Sequence, residues 1–533
     1  MKSIQILDCT LRDGGFVNDW NFGLGSMKSI ISRLDKACID MIEIGFIDER
    51  RSNDPDRAIL PDTQSFQAML QGIKIESALI LGMIDYGTCS IDRIAPKVET
   101  RIDGIRVIFK KKDQDDALEY LKLIKEKGYK IYVNPVSITG YSDGEVCSLI
   151  EKINRLDPEG VSIVDTYGLM HRKDLLHYYQ LFDKYLSKPI TIGYHAHNNF
   201  QLVYANSIEL CELKSDRNII IDSSLYGMGK GAGNANTELI AMFYNENVTY
   251  KYEVEHLLEA IDVDILKEYA KNKWGYSLSY YLAASNDCHP DYVKYLLGKK
   301  TLAVKSVNVL LASLPVANKL SFNKDLIEKL YQDYQNVACN DTDAYSRLSV
   351  DIAGHKILLL GPGCSIVKEA DAISSYIKEY NPIVISINFI NDMYPVDYVF
   401  MGNSKRYSQF FHNIYGSERE VKVITTSNVT ASGKQIDFVF NYGTLLNDAE
   451  SVRDNPLLMV LNILKKCCSS EIVLAGFDGY TQDNDQNYYG DYIPLLYCQD
   501  DVLLRNNSIA DKLKEFSLTC NISSITQTLY FGC

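Results

Sequence analysis

Leu7-Asp8-Cys9-Thr10-Leu11-Arg12-Asp13-Gly14-Gly15, taken with Gly193-Tyr194-His195-Ala196-His197-Asn198-Asn199, decides the fold of this chain. Each segment enters as a β-branched or apolar run and leaves as a cluster of polar groups. Side chains alternate along a strand, so a His-x-His places both imidazoles on one face. Two imidazoles and the Asp13 carboxylate form a ligand set for a divalent cation that leaves coordination positions open. Arg12, beside that carboxylate, supplies a fixed positive charge where an enolate or oxyanion develops.

Around these segments, short apolar runs alternate with longer amphipathic stretches, the pattern of parallel βα units. The expected strands are Ile4–Asp8, Met41–Phe46, Ile75–Leu81, Gly104–Phe109, Lys130–Val136, Val161–Asp165, Ile190–His197 and Ile219–Ser223. Eight units over about 240 residues predict an α/β fold with an N-terminal (β/α)8 TIM barrel, whose active site lies at the carboxyl ends of the strands. The polar residues fall there: Arg12 and Asp13 after the first strand, Glu43 near the end of the second, Asp165 ending the sixth and the His-x-His ending the seventh. A doubly wound open sheet is the competing architecture, and the strand count favours the barrel.

Length and composition agree with more than one domain. The chain has 533 residues, 46% of them hydrophobic and 23% charged, as in a globular protein with a sizeable core. The barrel is expected over residues 1–250 and a helical extension with a linker over 251–345. The helices expected are Val254–Tyr269, Pro290–Leu297, Val304–Leu314 and Lys324–Val337, followed by the polar stretch Cys339–Asp343. A second, Rossmann-like α/β domain is expected over 350–533, opening with His355–Leu360 and the turn Gly361-Pro362-Gly363-Cys364-Ser365. Its further strands are expected at Ile383–Ile387, Tyr398–Met401, Val421–Thr425, Phe438–Phe440 and Ile472–Ala475.

A net charge of -14 disfavours nucleic acid and anionic membrane surfaces as partners. No apolar run is long enough to span a bilayer, no signal peptide opens the chain, and thirteen scattered cysteines suit reduced, buried thiols. A cytoplasmic homo-oligomer is the expectation.

The two opening segments and Asp222-Ser223-Ser224-Leu225-Tyr226-Gly227-Met228-Gly229-Lys230-Gly231-Ala232-Gly233-Asn234 resemble the metal-dependent aldolase and Claisen-condensing superfamily. It includes 4-hydroxy-2-oxovalerate aldolase, isopropylmalate synthase and hydroxymethylglutaryl-CoA lyase, and the resemblance covers roughly residues 1–320. It implies that Asp13, His195 and His197 bind Mn2+, Mg2+, Zn2+ or Co2+, with Asn234 as a further ligand. It also implies that Arg12 stabilises an enolate. Glu43 and Asp165 are either proton-transfer groups or acceptors that orient Arg12 and the histidines. The loop Gly229–Asn234 presents backbone N–H groups to a carboxylate or phosphate, with charge added by Lys230, or is a plain tight turn.

Two departures narrow the transfer. The loop lacks the inserted cysteine of the hydroxymethylglutaryl-CoA lyases. Phe16 stands where the hydroxy-oxovalerate aldolases place an acid/base histidine three residues after the metal aspartate.

Leu360–Ser365, Ile387-Asn388, Phe400-Met401-Gly402-Asn403 and Ala475-Gly476-Phe477-Asp478-Gly479 resemble the Rossmann-like domain of bacterial sialyltransferases and flagellin-modifying glycosyltransferase-like proteins. That resemblance implies a nucleotide or nucleotide-sugar held at Gly361, Gly363, Ser365 and Asn388. Asp478 and the run Asp483-Asn484-Asp485 read as a solvated loop, with metal binding as the alternative.

The expected activity is formation or cleavage of a C–C bond through the enolate of a 2-oxoacid such as pyruvate, with an aldehyde as electrophile. The resemblances tie it to a bacterial surface sugar. The alternatives are a Claisen-type acyltransferase using acyl-CoA and a bifunctional protein whose C-terminal half transfers glycosyl groups.

Overall fold

The computed structural model describes residues 3–416, 420–429, 436–469, 471–483, 487–490, 493 and 502–531. The chain divides into two compact units, residues 1–290 and 291–533.

The first unit is a closed parallel barrel. Its strands are β1 (Ile4–Asp8), β2 (Met41–Ile47), β4 (Leu79–Asp85), β5 (Gly104–Phe109), β6 (Lys130–Pro135), β7 (Gly160–Asp165), β8 (Thr191–Ala196) and β9 (Ile219–Ser223). They pair in sequence order and β1 closes on β9; a two-residue strand, β3 (Ile59–Leu60), adds to the edge of β2. The expected TIM barrel is therefore the fold. One strand begins four residues later than expected, at Leu79 rather than Ile75. The helices between strands bury one apolar stripe each. Leu24–Lys36, for example, buries Met27, Ile30, Ile31 and Leu34, the three- and four-residue spacing of a helix face packed on a sheet.

The stretch 251–345 is not one extension. Helices Val254–Ala260, Leu266–Lys271 and Leu278–Ser285 belong to the barrel unit, and a π-helical turn, Ile261–Ile265, interrupts the single helix expected there. Leu257, Ala260, Ile261 and Ile265 join the barrel's main core.

The second unit contains a seven-stranded, all-parallel sheet: β10 (Ile357–Leu360), β11 (Ile383–Ile387), β12 (Tyr398–Met401), β13 (Lys422–Thr426), β14 (Phe438–Phe440), β15 (Glu471–Ala475) and β16 (Asn521–Ser524). Their order is β14-β13-β12-β11-β10-β15-β16, with a buried apolar cluster on each face, so the architecture is Rossmann-like. The strand order reverses between β10 and β15, the point where open α/β sheets leave a crevice beyond the carboxyl ends of their strands. Helix Thr342–Ile352 begins inside the expected linker and sends Ala344, Leu348 and Ile352 into this core. Apolar spacing outweighs a polar N-terminal cap there. Among the described residues no helix is long and apolar enough to cross a membrane.

Candidate active site

The barrel interior is layered. Leu7, Cys9, Met41, Leu81, Tyr132 and Ile220 form an apolar floor. Two residues further along β2, β6 and β9 come Glu43, Asn134 and Asp222, and Arg106 joins them from β5, all buried. Arg106, only 1% exposed, donates to Glu43 Oε1 at 3.3 Å and to Asp222 Oδ2. Arg12 donates through Nε to Glu43 Oε2 and through Nη1 to Asp13 Oδ1, each at 2.6 Å. Three carboxylates (Asp13, Glu43 and Asp222) are thus interleaved with two guanidiniums, and the buried layer carries one net negative charge. A charge left uncompensated in such a setting is costly.

At the edge of this layer Asp13, together with His195 and His197, offers a ligand atom, all three within 4.8 Å of one another and all buried. His195 lies on β8 and His197 follows its last residue, and their ring centroids are 5.4 Å apart. Burial pushes the Asp13 carboxyl up, but the Arg12 charge, the two neighbouring imidazoles and a hydrogen bond from Asn234 outweigh it and hold the group well below the usual carboxylate range. Burial pulls His197 down to about 4, only partly opposed by Asp13, so the ring is neutral near pH 7 with a lone pair to offer.

Polar satisfaction fits a cation. Asn234 directs Nδ2 to Asp13 Oδ2 at 2.8 Å, and its buried Oδ1 has no hydrogen-bond partner. His197 Nδ1 is also without a partner. His195 Nδ1 lies 3.1 Å from Asp222 Oδ2 without hydrogen-bond alignment. Buried polar atoms are rarely left so, and here Asn234 and His197 Nδ1 both stand beside the Asp13 carboxylate. The loop that carries Asn234 is shaped to reach it: a Cβ on Gly229 would meet Asn234 Nδ2 and lie 2.7 Å from Asp13 Oδ2.

Glu43 is the third residue of β2 rather than near its end, and both of its oxygens serve guanidiniums. Asp165 ends β7 as expected, and its oxygens accept the Leu169 and Met170 N–H groups at 2.8 Å. Burial raises its carboxyl to about 6, against the pull of those two N–H groups and the nearby His195. Arg106 and Asp222 were not singled out from sequence as site residues. The available signal was a lone arginine at an inward position of an otherwise apolar strand. At the mouth, Phe16 packs edge-on against Trp20 and Phe46 at 4.7 and 6.1 Å, and the Arg12 guanidinium lies 5.7 Å from the Phe46 ring centre.

The second unit places Gly363 and Asn388 on one crevice at the strand-order reversal, with Asn403, Arg406, Asp478 and Tyr488 also lining it. Gly361 packs against Gly476. Asp478 is not a solvated loop residue: its carboxylate accepts the Ser365 N–H at 2.8 Å and the Ser365 hydroxyl. Asn388 adopts a left-handed φ of 60° and accepts the Gly402 N–H at 2.9 Å. Residues 484 and 485 of the acidic run lie outside the described residues.

Residues 3–263 match the HMGL-like family model. The chain is similar to 4-hydroxy-2-oxovalerate aldolase of Chloroflexus aurantiacus, at 26% identity over 45% of this chain and 69% of that one. It is similar to oxaloacetate decarboxylase of Mycobacterium tuberculosis, at 21% identity over 52% of this chain and 82% of that one. Among solved structures it is similar to the HMG-CoA lyase of Bacillus subtilis, at 16% identity and a TM-score of 0.41, covering 50% of this chain and 93% of that one. The HMGL-like match, residues 3–263, spans the barrel strands and takes in the buried Asp/His/His group.

Proposed function

We propose that the barrel is a divalent-cation-dependent carbon–carbon lyase of the aldolase type, working through the enolate of a 2-oxoacid such as pyruvate. The observation that supports this most is the convergence of Asp13, His195 and His197 over a buried layer one charge short of neutral. Asp13, the two histidines and the Asn234 amide oxygen would hold the ion, and Mn2+, Mg2+, Zn2+ and Co2+ all suit nitrogen and oxygen donors. When bound, the cation supplies Lewis-acid polarisation of the substrate carbonyl.

The chain's own residues do the rest. Asp13 is held ionised. Of the five N–H donors of Arg12, two are engaged by Glu43 and Asp13, which leaves three for charge that develops on a substrate oxygen. Glu43 and Asp165 act as positioning residues. Glu43 fixes Arg12, and Asp165 fixes the backbone after β7 beside His195. Phe16 lines the mouth and carries no proton to transfer.

The test is cation stoichiometry by elemental analysis. We expect about one divalent ion per chain, lost in the His195→Ala/His197→Ala variant with the barrel still folded. Full retention of the ion in that variant overturns the assignment.

For the C-terminal unit we infer a nucleotide or nucleotide-sugar site in the crevice between β10 and β15. Open α/β sheets bind ligands at that position, and the buried Arg406 there offers a counter-charge. Asp478 already takes the Ser365 N–H, so the phosphate is expected nearer Arg406 than the Gly361–Ser365 turn. Calorimetric titration of the full chain with CMP, UDP and CDP tests this, and no heat from any of them at millimolar concentration overturns it.

A further inference from the structure

Lys230 is placed at the mouth of the barrel by the same loop that carries Asn234. Its backbone N–H donates to Asp13 Oδ2 at 3.2 Å, so the residue is anchored directly on the carboxylate of the candidate metal group. Its side chain turns outward and lies with Nζ 5.3 Å from the centre of the Phe16 ring. Phe16 is 43% exposed, so this cation sits on an open apolar wall rather than in the core.

Lys230 forms no ion pair among the described residues. The neighbouring charges at the mouth are few. Asp85 ends β4 and feels Lys110, Arg50 and Lys230. Arg50 is already held by Asp48 at 2.6 Å, and Asp13 is held by Arg12. Asp85 itself is exposed to solvent at the carboxyl end of β4, where the barrel opens. An ammonium in such an opening, with an aromatic face on one side and no carboxylate in contact, is poised for an anion brought by a ligand.

The 2-oxoacid does not need it. In the reading proposed above, the cation group and Arg12 lie deeper, beneath Lys230, and face the carbonyl and carboxylate of that substrate. The partner that enters later, from the solvent side, meets Lys230 first.

We propose that Lys230 selects the electrophile, and that this electrophile is an aldehyde bearing an anionic oxygen group, a carboxylate or a phosphate, at its far end. The inference rests on the aldolase reading of the barrel. No covalent step involves Lys230; it contributes charge and position only.

The experiment uses the full-length, cation-loaded protein with pyruvate and matched aldehydes. Glyceraldehyde is compared with glyceraldehyde 3-phosphate, and butyraldehyde with succinic semialdehyde. In the wild type, kcat/KM for at least one anionic member exceeds that of its neutral partner by tenfold or more. Which pair shows the preference separates phosphate from carboxylate. In Lys230→Met that ratio collapses at least tenfold through KM for the anionic aldehyde, and Lys230→Arg restores most of it.

Equal losses on neutral and anionic aldehydes overturn the inference, as does a rise in KM confined to pyruvate. A wild type that shows no anion preference while still exchanging pyruvate methyl protons with solvent overturns it alone. A wild type without that exchange overturns the aldolase reading and this inference together.

Discussion

Replacing Arg106 with Met leaves the floor of the site filled but removes the cation between two buried carboxylates. Glu43 keeps its contact with Arg12 at 2.6 Å, so Asp222 bears most of the loss. Its carboxyl is pushed up by burial but held low by Arg106 and His195. Breaking a buried pair by removing one partner costs about 3–5 kcal/mol, and the charge of the layer goes from one negative to two. The chain provides its own probe, because its two tryptophans, Trp20 and Trp274, both lie in the barrel unit. Urea unfolding of the full chain followed by tryptophan emission therefore reads the barrel alone. We expect the barrel of Arg106→Met to lose about 3–5 kcal/mol. Adding Asp222→Asn should restore about 2 kcal/mol, because it removes the uncompensated charge. A loss below about 1 kcal/mol, the range of an exposed ion pair, or no recovery in the double variant, refutes the interleaved-charge account of this layer.

Arg12→Lys keeps the charge but not the planar fork, and turnover should fall on the order of a hundredfold while cation binding is retained; steady-state kinetics on any working substrate pair checks this. Gly229→Ala pushes a methyl group into Asp13 and Asn234, so Mn2+ affinity by calorimetry should drop at least about tenfold with the tryptophan-monitored unfolding midpoint nearly unchanged. Asp8 is raised by burial from 3.8 to about 6, despite hydrogen bonds from Thr237 and Thr10. The folded chain holds this proton more tightly than the unfolded one, so the contribution is full below about pH 4 and lost as pH rises through about 6. Relative to Asp8→Asn, the wild type should therefore lose up to about 3 kcal/mol between pH 4 and pH 6, read from paired urea titrations.

Much of this arrangement was legible in the residues because it is local. Alternating β-branched runs marked the barrel strands, and His195-Ala196-His197 showed its two-residue period without help from the fold. The start of β4 was misplaced because Ile75 has the composition of a strand residue and Gly82 that of a terminator, while pairing with β2 and β5 selects Leu79–Asp85. β16 was missed because Asn521-Ile522-Ser523-Ser524 is half exposed at a sheet edge and lacks an apolar run. The roles of Arg106 and Asp478 are not legible in the sequence for a shared reason. Their partners are 28 or more residues away in sequence, and only closure of the barrel or sheet brings them into contact. The division of 251–345 between the two units follows the same rule, since helix periodicity says which face is buried but not against what.

The central claim is that Asp13, His195 and His197 support cation-dependent enolisation of a 2-oxoacid. Its most direct test is exchange of pyruvate methyl protons with deuterated solvent, followed by NMR on the full chain after chelator treatment. No second substrate is required. Exchange should be near the uncatalysed rate in the stripped protein, return on addition of Mn2+, and remain absent with Mn2+ in His195→Ala/His197→Ala. Exchange that proceeds equally in the stripped protein or in the double variant, or its absence from the Mn2+-loaded wild type, would contradict the account.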